Sequence, residues 1–179
     1  MSESVEKHRE ASPAKVSIAV LTISDTRTPE TDTGGSLIAE LMQEAGHEIE
    51  RREIVRDEPD RIGEAIQELL ADESVHALIT TGGTGISARD STYEVASRLI
   101  DKRLDGFGEI FRMLSYEEIG SAAMLSRAVA GATTTITGPK FLACLPGSTN
   151  AVRLAIEKLL LPEISHVVFE LYKHKRGAR

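Results

Sequence analysis

The sequence has a single cysteine, no long apolar run and no excess of positive charge, and each absence excludes a class of protein. Cys144 has no intrachain partner, so we expect a small buried hydrophobe in a reduced, intracellular chain. The apolar stretches fall short of the roughly 18 to 20 residues that cross a bilayer, which predicts no membrane partner. The net charge of −7, with no basic stripe, argues against nucleic acid as a partner.

The two ends of the chain lack the pattern of a folded domain. The first fifteen residues are mostly polar or charged and contain no apolar core of a signal peptide, which predicts a flexible tail over residues 1–14 and a cytoplasmic protein. Residues 173–179 are basic and predict a second, frayed tail. Residues 15–172 are expected to form one domain, because a chain that is 41% apolar and 27% charged can bury a sizeable core.

Short apolar runs alternate with segments of helical period through the first hundred residues. Val16 to Ile23 is almost unbroken and β-branched, which is typical of a strand buried on both faces of a parallel sheet. A helix follows from Gly35 and should end near Gly46. The alternation then predicts a strand over His47–Val55, a helix from Pro59, a strand over Val75–Thr81 and a helix over Thr92–Ile100.

The last eighty residues are less regular. Their pattern predicts one or two helices over Gly106–Gly131, paired strands over Thr133–Thr137 and Phe141–Leu145, and helices from Ser148 to about Leu160 and from Pro162 to about Tyr172. Alternating strands and helices predict a three-layer α/β/α fold with a mostly parallel central sheet. Ligands bind such sheets beyond the carboxyl ends of the strands, where four loops should share one rim: Ser24-Asp25, Asp57, the turn at Gly82 and Pro146-Gly147-Ser148.

The turn after the third strand is rich in glycine. Gly82, Gly83 and Gly85 lack the Cβ that blocks left-handed backbone angles, so with Thr84 they can aim consecutive N–H groups at a phosphate. A plain tight turn is an equal alternative on composition alone. The P-loop pattern fails, because Ile86-Ser87 follows Gly85 in place of a lysine. A G-x-G-x-x-A match at residues 83–88 leaves an NAD-dependent oxidoreductase as a remote alternative.

Acidic residues near this turn favour a magnesium nucleotide. Asp90 follows Gly85 by five residues, with Arg89 as a candidate counter-charge. Magnesium takes one or two carboxylates together with water and phosphate oxygens, and Asp57 is the best second acid. For Asp57, and equally for Asp25 and Asp32, helix capping is the alternative role. Ser148 is open to the same two interpretations, an anion site or an ordinary N-cap.

Four segments taken together resemble the MoaB/MogA family of molybdenum-cofactor proteins. They are Ser24-Asp25-Thr26-Arg27, the run TTGGTGISARDSTYE at residues 80–94, Met124-Leu125-Ser126-Arg127, and LPGSTNAV at residues 145–152. The resemblance covers residues 15–172, and the S-D-T-R form is closer to MoaB than to MogA. Ser148-Thr149 departs from the P-G-N-P that MogA-like members carry at this position.

The resemblance implies a molybdopterin-binding fold and, in active members, adenylylation of molybdopterin by Mg²⁺ and ATP. It implies Asp57 and Asp90 as the catalytic and Mg²⁺-binding carboxylates, and Gly82, Gly83, Thr84 and Gly85 around the nucleotide phosphates. By the same resemblance Ser24 and Asp25 border the nucleotide, while Ser126, Arg127, Gly147 and Ser148 serve the pterin.

The resemblance also implies a homotrimer or homohexamer, with other assembly proteins of the pathway as further partners. Since the MoaB branch is less securely tied to catalysis than MogA, a non-catalytic molybdopterin-binding or assembly protein is the alternative function.

Overall fold

The computed structural model describes the backbone of residues 12–176 and the side chains of residues 12–173. Residues 1–11 and 177–179, which include most of the predicted N-terminal tail and the end of the basic one, lie outside the described residues. Within the described range, no helix combines the length and apolar character that crossing a membrane requires.

A six-stranded sheet in the order β2-β1-β3-β6-β5-β4 forms the centre of the fold. Its strands are β1 (Ser17–Ile23), β2 (Glu48–Val55), β3 (Ala77–Thr81), β4 (Lys102–Arg103), β5 (Val129–Thr135) and β6 (Gly138–Leu145). Strands β2, β1, β3 and β6 run parallel, while β5 and β4 add an antiparallel edge. The predicted mostly parallel sheet is confirmed.

Helices cover both faces of this sheet. They are α1 (Thr33–Glu44), α2 (Pro59–Ala71), α3 (Thr92–Leu99), α4 (Asp105–Ile119), α5 (Thr149–Ala155) and α6 (Leu161–Arg176). Successive side chains of a strand point to opposite faces. Accordingly Ile18 and Val20 of β1 join the core under α1, α4 and α6, whereas Ala19 and Leu21 join the core under α2 and α3. Two cores on one sheet make the predicted three-layer α/β/α fold.

Cys144 lies in β6 and is fully buried. Burial raises the pKa of its thiol to about 12, because the thiolate would lose its hydration. The side chain therefore packs as a small hydrophobe, as the sequence predicts.

The helical prediction for Gly106–Gly131 is wrong in its last part. After α4 a 3₁₀-helix over Gly120–Leu125 ends the helical segment, and Val129 begins β5. Gly131 lies within β5, where a Cβ would come 2.4 Å from the carbonyl oxygen of Lys102 in β4. Its role is to let two strands approach, which helical periodicity cannot reveal. Strand β4 was not predicted, because two exposed residues carry no period.

The predicted helix start at Pro162 falls one residue after the observed start of α6 at Leu161, but α6 continues the preceding helix and does not open a separate one. The chain passes from α5 to α6 through a π-helical turn over Ile156–Leu160 without a break. Leu161 N–H donates to the carbonyl of Ile156, five residues back, so the widened turn carries the helix past a proline that has no N–H to give. The helix then runs to Arg176, beyond the predicted end at Tyr172.

Candidate functional site

The four parallel strands end level with one another and bring four loops to one rim. Thr22 of β1 pairs with Thr81 of β3, which in turn pairs with Leu145 of β6. Beyond the strands, Ser24 N–H donates to the Val55 carbonyl at 2.8 Å. The predicted meeting of loops at the carboxyl edge is confirmed.

The turn after β3 needs its glycines. Gly82 and Gly83 have φ of +97° and +63°, in the left-handed region. A Cβ on Gly82 would lie 2.2 Å from the Ile23 carbonyl oxygen, and one on Gly83 would lie 2.2 Å from Thr92 Oγ1. A Cβ on Gly147, in the loop after β6, would stand 3.2 Å from the Cα of Gly82. The two loops therefore pack backbone against backbone.

The turn presents a row of free amide donors. Among the described residues, none accepts a hydrogen bond from the backbone N–H groups of Gly83, Thr84, Gly85 and Ile86. Gly83 and Gly85 are half-buried and Ile86 is exposed, so an acceptor from outside the chain can reach these amides. Consecutive N–H groups in a turn with left-handed residues form a concave anion site. The arrangement suits phosphate oxygens.

Asp57 and Asp90 lie against this turn. The Oδ2 of Asp57 is 2.9 Å from the point that a Cβ on Gly83 would occupy, and the Oδ2 of Asp90 is 2.6 Å from the corresponding point on Gly85. Asp90 also accepts a hydrogen bond from Ser87 N–H at 2.9 Å. The fold thus places next to one turn two acids that are 33 residues apart in the sequence.

Asp57 is half-buried, and burial is the main reason that its pKa is raised above the ordinary value. Repulsion from the carboxylates of Asp90 and Asp25 adds to this rise, whereas hydrogen bonds from Ser91 oppose it. The capping role left open for Asp57 is not observed, because the N-cap of α2 is Glu58. A bound cation stabilises a carboxylate whose charged form is disfavoured by burial and by neighbouring carboxylates.

Arg89 lies among these acids. Its Nη2 is 2.8 Å from Asp25 Oδ2 and donates to the Asp57 carbonyl at 3.4 Å. The Asp57 N–H in turn contacts Asp25 Oδ1 at 3.4 Å. Asp25 therefore forms an ion pair with Arg89 across the rim. Asp32, for which capping was the alternative, does cap α1 by accepting from Gly35 N–H at 2.9 Å.

The acids suit a cation that brings its own oxygen ligands. Among the side chains of residues 12–173, no three His, Cys, Asp or Glu are grouped to hold a metal ion by themselves. Asp57 and Asp90 thus supply two carboxylates at most, the number that Mg²⁺ takes beside water and phosphate. The hydroxyl of Thr92, fully buried and without a partner in the described structure, lies against Gly83 as a further oxygen.

Two cavities share Ser24 at the rim, and the smaller one borders the turn. One of about 150 Å³ is bordered by Ser24, Gly34, Gly82 and Gly147. The other, of about 650 Å³, lies beyond β1 and β2, and its lining includes Ser24, Asp25, Arg27, Arg52 and Arg56. Sequence reasoning assigned no role to these three arginines, because only the parallel pairing of β1 with β2 groups them.

Three predicted residues, Ser126, Arg127 and Ser148, come from the segment before β5 and from the loop after β6. Ser148 is exposed and caps α5 by accepting from Ala151 N–H at 3.3 Å, so its capping role is the one observed. Ser126 is half-buried in the segment before β5. Arg127 contacts the glycine turn itself, with Nε donating to the Thr84 carbonyl at 2.8 Å.

The G-x-G-x-x-A match at residues 83–88 has no dinucleotide geometry. That fingerprint needs a helix to begin within the glycine turn, so that its N-terminus faces the pyrophosphate. Here α3 begins only at Thr92, after a non-helical stretch over residues 86–91.

The family model described as a probable molybdopterin binding domain matches residues 19–166. This chain belongs to that family. Molybdenum cofactor biosynthesis protein B of Bacillus cereus is 49% identical over 171 residues, which is 95% of this chain and 99% of that protein. The resemblance seen in the sequence motifs is therefore confirmed.

Solved structures of molybdenum-cofactor proteins share the fold. A crystal structure of a molybdenum cofactor biosynthesis protein B is 49% identical, with a TM-score of 0.86 over 90% of this chain and 98% of that one. The tungsten cofactor synthesizing protein MoaB of Pyrococcus furiosus is 35% identical, with a TM-score of 0.80 over 89% and 98%. A structure of MogA is 27% identical, with a TM-score of 0.75 over 87% and 99%.

Proposed function

We propose that this member of the molybdopterin-binding family adenylylates molybdopterin with Mg²⁺ and ATP, giving adenylyl-molybdopterin and pyrophosphate. The observation that carries the proposal is the row of four free amides at Gly83–Ile86 flanked by Asp57 and Asp90. Amide donors suit phosphate oxygens, and the carboxylates suit the cation that accompanies them. Family membership supports molybdopterin as the second substrate.

In this reaction an oxygen of the terminal phosphate of molybdopterin attacks the α-phosphorus of ATP. The new O–P bond forms as the bond to pyrophosphate breaks, and pyrophosphate leaves with the electron pair. Little covalent work falls to the protein, so positioning and charge stabilisation account for the rate. The amides of the turn hold the nucleotide phosphates, and Ser24 and Asp25 border the nucleotide.

Asp57 and Asp90 would hold Mg²⁺, which supplies neutralisation of the charge that develops on pyrophosphate. Binding of a cation there would also relieve the repulsion that raises the pKa of Asp57. On the other side of the Gly82–Gly147 contact, Ser126, Gly147 and Ser148 are our candidates for contacts with the pterin.

Conversion of molybdopterin in the presence of Mg²⁺ and ATP tests the proposal. We expect adenylyl-molybdopterin from the wild-type protein and a yield about 100-fold lower from Asp90→Asn, as for loss of one preorganised electrostatic contact. Glu58→Gln is the matched control, since Glu58 is exposed beside Asp57 and caps α2 without a side-chain bond. A folded wild-type protein that yields no product contradicts the proposal.

A non-catalytic molybdopterin-binding or assembly role is the second candidate. It is favoured by the family description, which refers to binding and not to turnover. Molybdopterin binding without product, unchanged in Asp57→Asn and Asp90→Asn, would establish this role in place of the first. An NAD-dependent oxidoreductase has lost its one supporting feature, since no helix begins within residues 83–88.

A further inference from the structure

Arg127 reaches across from the segment before β5 to the glycine-rich turn. Its Nε donates to the carbonyl of Thr84 at 2.8 Å and its Nη2 to the carbonyl of Gly85 at 2.5 Å. Its Nη1 and Nη2 also bind the carboxylate of Glu94, in the first turn of α3. One side chain thus ties the turn to the helix that follows it.

The guanidinium group of Arg127 is committed to the protein. A guanidinium has five N–H donors, and the bonds to Thr84, Gly85 and Glu94 use four of them. The group also lies 4.8 Å over the ring of Tyr93, which restricts its plane. Little donor capacity is left for a ligand, so direct contact with the pterin is not the main use of this residue.

The bonds to two carbonyl groups fix two peptide planes of the turn. A trans peptide points its C=O and its N–H in opposite directions, and the described chain has no cis peptide. With the carbonyls of Thr84 and Gly85 held by Arg127, the N–H groups of Gly85 and Ile86 must face away from it. These two amides belong to the row that has no acceptor within the described structure.

We infer that Arg127 is a positioning residue, which orients the amides of Gly85 and Ile86 toward the nucleotide phosphates by holding the carbonyls behind them. The identity of the anion as a nucleotide phosphate rests on the proposed function, whereas the orientation of the two amides by Arg127 does not. Glu94 supports Arg127 in this role, because its carboxylate binds the guanidinium group and fixes its position.

Binding of Mg²⁺-ATP and of inorganic pyrophosphate, measured by calorimetry, tests the inference. In Arg127→Ala we expect the Kd of both probes to rise at least about tenfold, because two donors lose their fixed direction. Arg127→Lys should recover little, since an ammonium group keeps the charge but lacks the fork that spans two carbonyls. Millimolar guanidinium should partly restore binding in Arg127→Ala, a rescue that a loss of general stability would not show.

Arg103→Ala is the matched control. Arg103 also lies over the ring of Tyr93, at 5.9 Å, and donates to its hydroxyl at 2.9 Å. Its hydrogen bond and ion pair go to Tyr93 and Asp105 and not to the glycine turn. We expect its Kd values to stay within about twofold of the wild type.

Limited trypsin digestion separates the inference from the proposed function. The segment after the turn is exposed over residues 86–89 and offers a cleavage site after Arg89. If Arg127 holds the turn, Arg127→Ala will be cut there faster than the wild type and Arg103→Ala will not. A wild type that binds neither probe would refute the nucleotide site, while this digestion would still decide the role of Arg127. Unchanged binding or unchanged cleavage in Arg127→Ala overturns the inference.

Discussion

Gly82 shows how one residue shapes the turn that the proposed function depends on. Its φ of +97° resembles the +89° of Gly46 after α1, but the surroundings differ. A Cβ on Gly82 would lie 2.2 Å from the Ile23 carbonyl oxygen, whereas one on Gly46 would meet nothing within 4 Å. Comparing Gly82 with Gly46 therefore separates the free-energy cost of a left-handed backbone angle from the cost of a close contact with the Ile23 carbonyl.

Alanine at both positions measures this difference. We expect Gly46→Ala to lower the free energy of unfolding by about 1 kcal/mol, the cost of a left-handed angle. Gly82→Ala should lose roughly 1 to 3 kcal/mol more, because its Cβ must push backbone aside. Urea denaturation provides both values. Equal losses would show that the contact at Gly82 relaxes freely.

Asp57 carries a prediction about pH. Its pKa is raised above 3.8 in the folded protein, chiefly by burial, so the folded chain holds this proton more readily than the unfolded chain does. The contribution of this proton to the free energy of unfolding is fully present below pH 3.8, and it is lost as the pH rises through the raised pKa. Asp57→Asn should therefore melt at a higher temperature than the wild type near neutral pH, by a margin that narrows toward acid.

Thermal melts across this pH range show whether Asp57→Asn melts above or below the wild type. Glu58→Gln, at the exposed neighbouring position, should track the wild type. A melting temperature of Asp57→Asn below that of the wild type at neutral pH would show that the hydrogen bonds from Ser91 outweigh burial.

The sequence predicts some of the site's residues and misses others for a physical reason. Gly82 and Asp90 belong to one contiguous motif, so local pattern was enough to select them. The family motif selects Arg127 but assigns it to the pterin. Its bonds to carbonyls about forty residues earlier in the chain exist only after β5 and α3 have packed, so the sequence does not show them. The grouping of Arg52 with Ser24 around one cavity likewise needs the pairing of β1 with β2.

Elements were predictable where burial repeats with a regular period. α2 carries such a period, and β1 is recognised instead by its unbroken apolar run; both appear close to their predicted positions. The start of β5 depends instead on the pairing of Val129 with Cys144 of β6, which no local sequence pattern shows. Pro162 indicates a helix start by its chemistry, and only the π-helical turn before it lets the helix continue.

Strand β6 contains a buried lysine, and replacing it tests how much its hydrogen bonds stabilise the strand. Lys140 is 1% exposed, and its Nζ donates to the carbonyls of Asp72 and Val75 in the loop between α2 and β3. Lys140→Met should lower the free energy of unfolding by about 1 to 3 kcal/mol, because two carbonyls lose a charged donor. Lys102→Met, at an exposed position of β4, should change it little. Similar urea midpoints for the two variants would contradict this account.

Six large apolar side chains are exposed on α4 and on the 3₁₀-helix that follows it. They are Ile110, Met113, Tyr116 and Ile119 of α4 together with Met124 and Leu125 of the 3₁₀-helix. Exposed apolar side chains grouped on two consecutive elements are typical of an interaction site. We propose that they contact a second copy of the chain, in the homotrimer or homohexamer that the family resemblance implies.

Light scattering after size exclusion tests this proposal. We expect a mass three or six times that of the chain, and a fall to the monomer mass in Met113→Glu, since a carboxylate would be buried without a partner. Ile136→Glu is the control, because Ile136 is 96% exposed in the turn between β5 and β6, outside these two elements. A wild type that elutes as a monomer, or a Met113→Glu variant of unchanged mass, would contradict the proposal.

The central claim is that the turn at Gly83–Ile86 and the acids beside it transfer an adenylyl group to molybdopterin. Labelled ATP tests it most directly. With ³²P at the α-phosphate, we predict that label enters the pterin product in the wild type and is nearly lost in Asp90→Asn. With ³²P at the γ-phosphate, label should appear in pyrophosphate in equal amount and not in the pterin. Transfer of the γ-label to the pterin, or no transfer of either label by folded protein, would contradict the account.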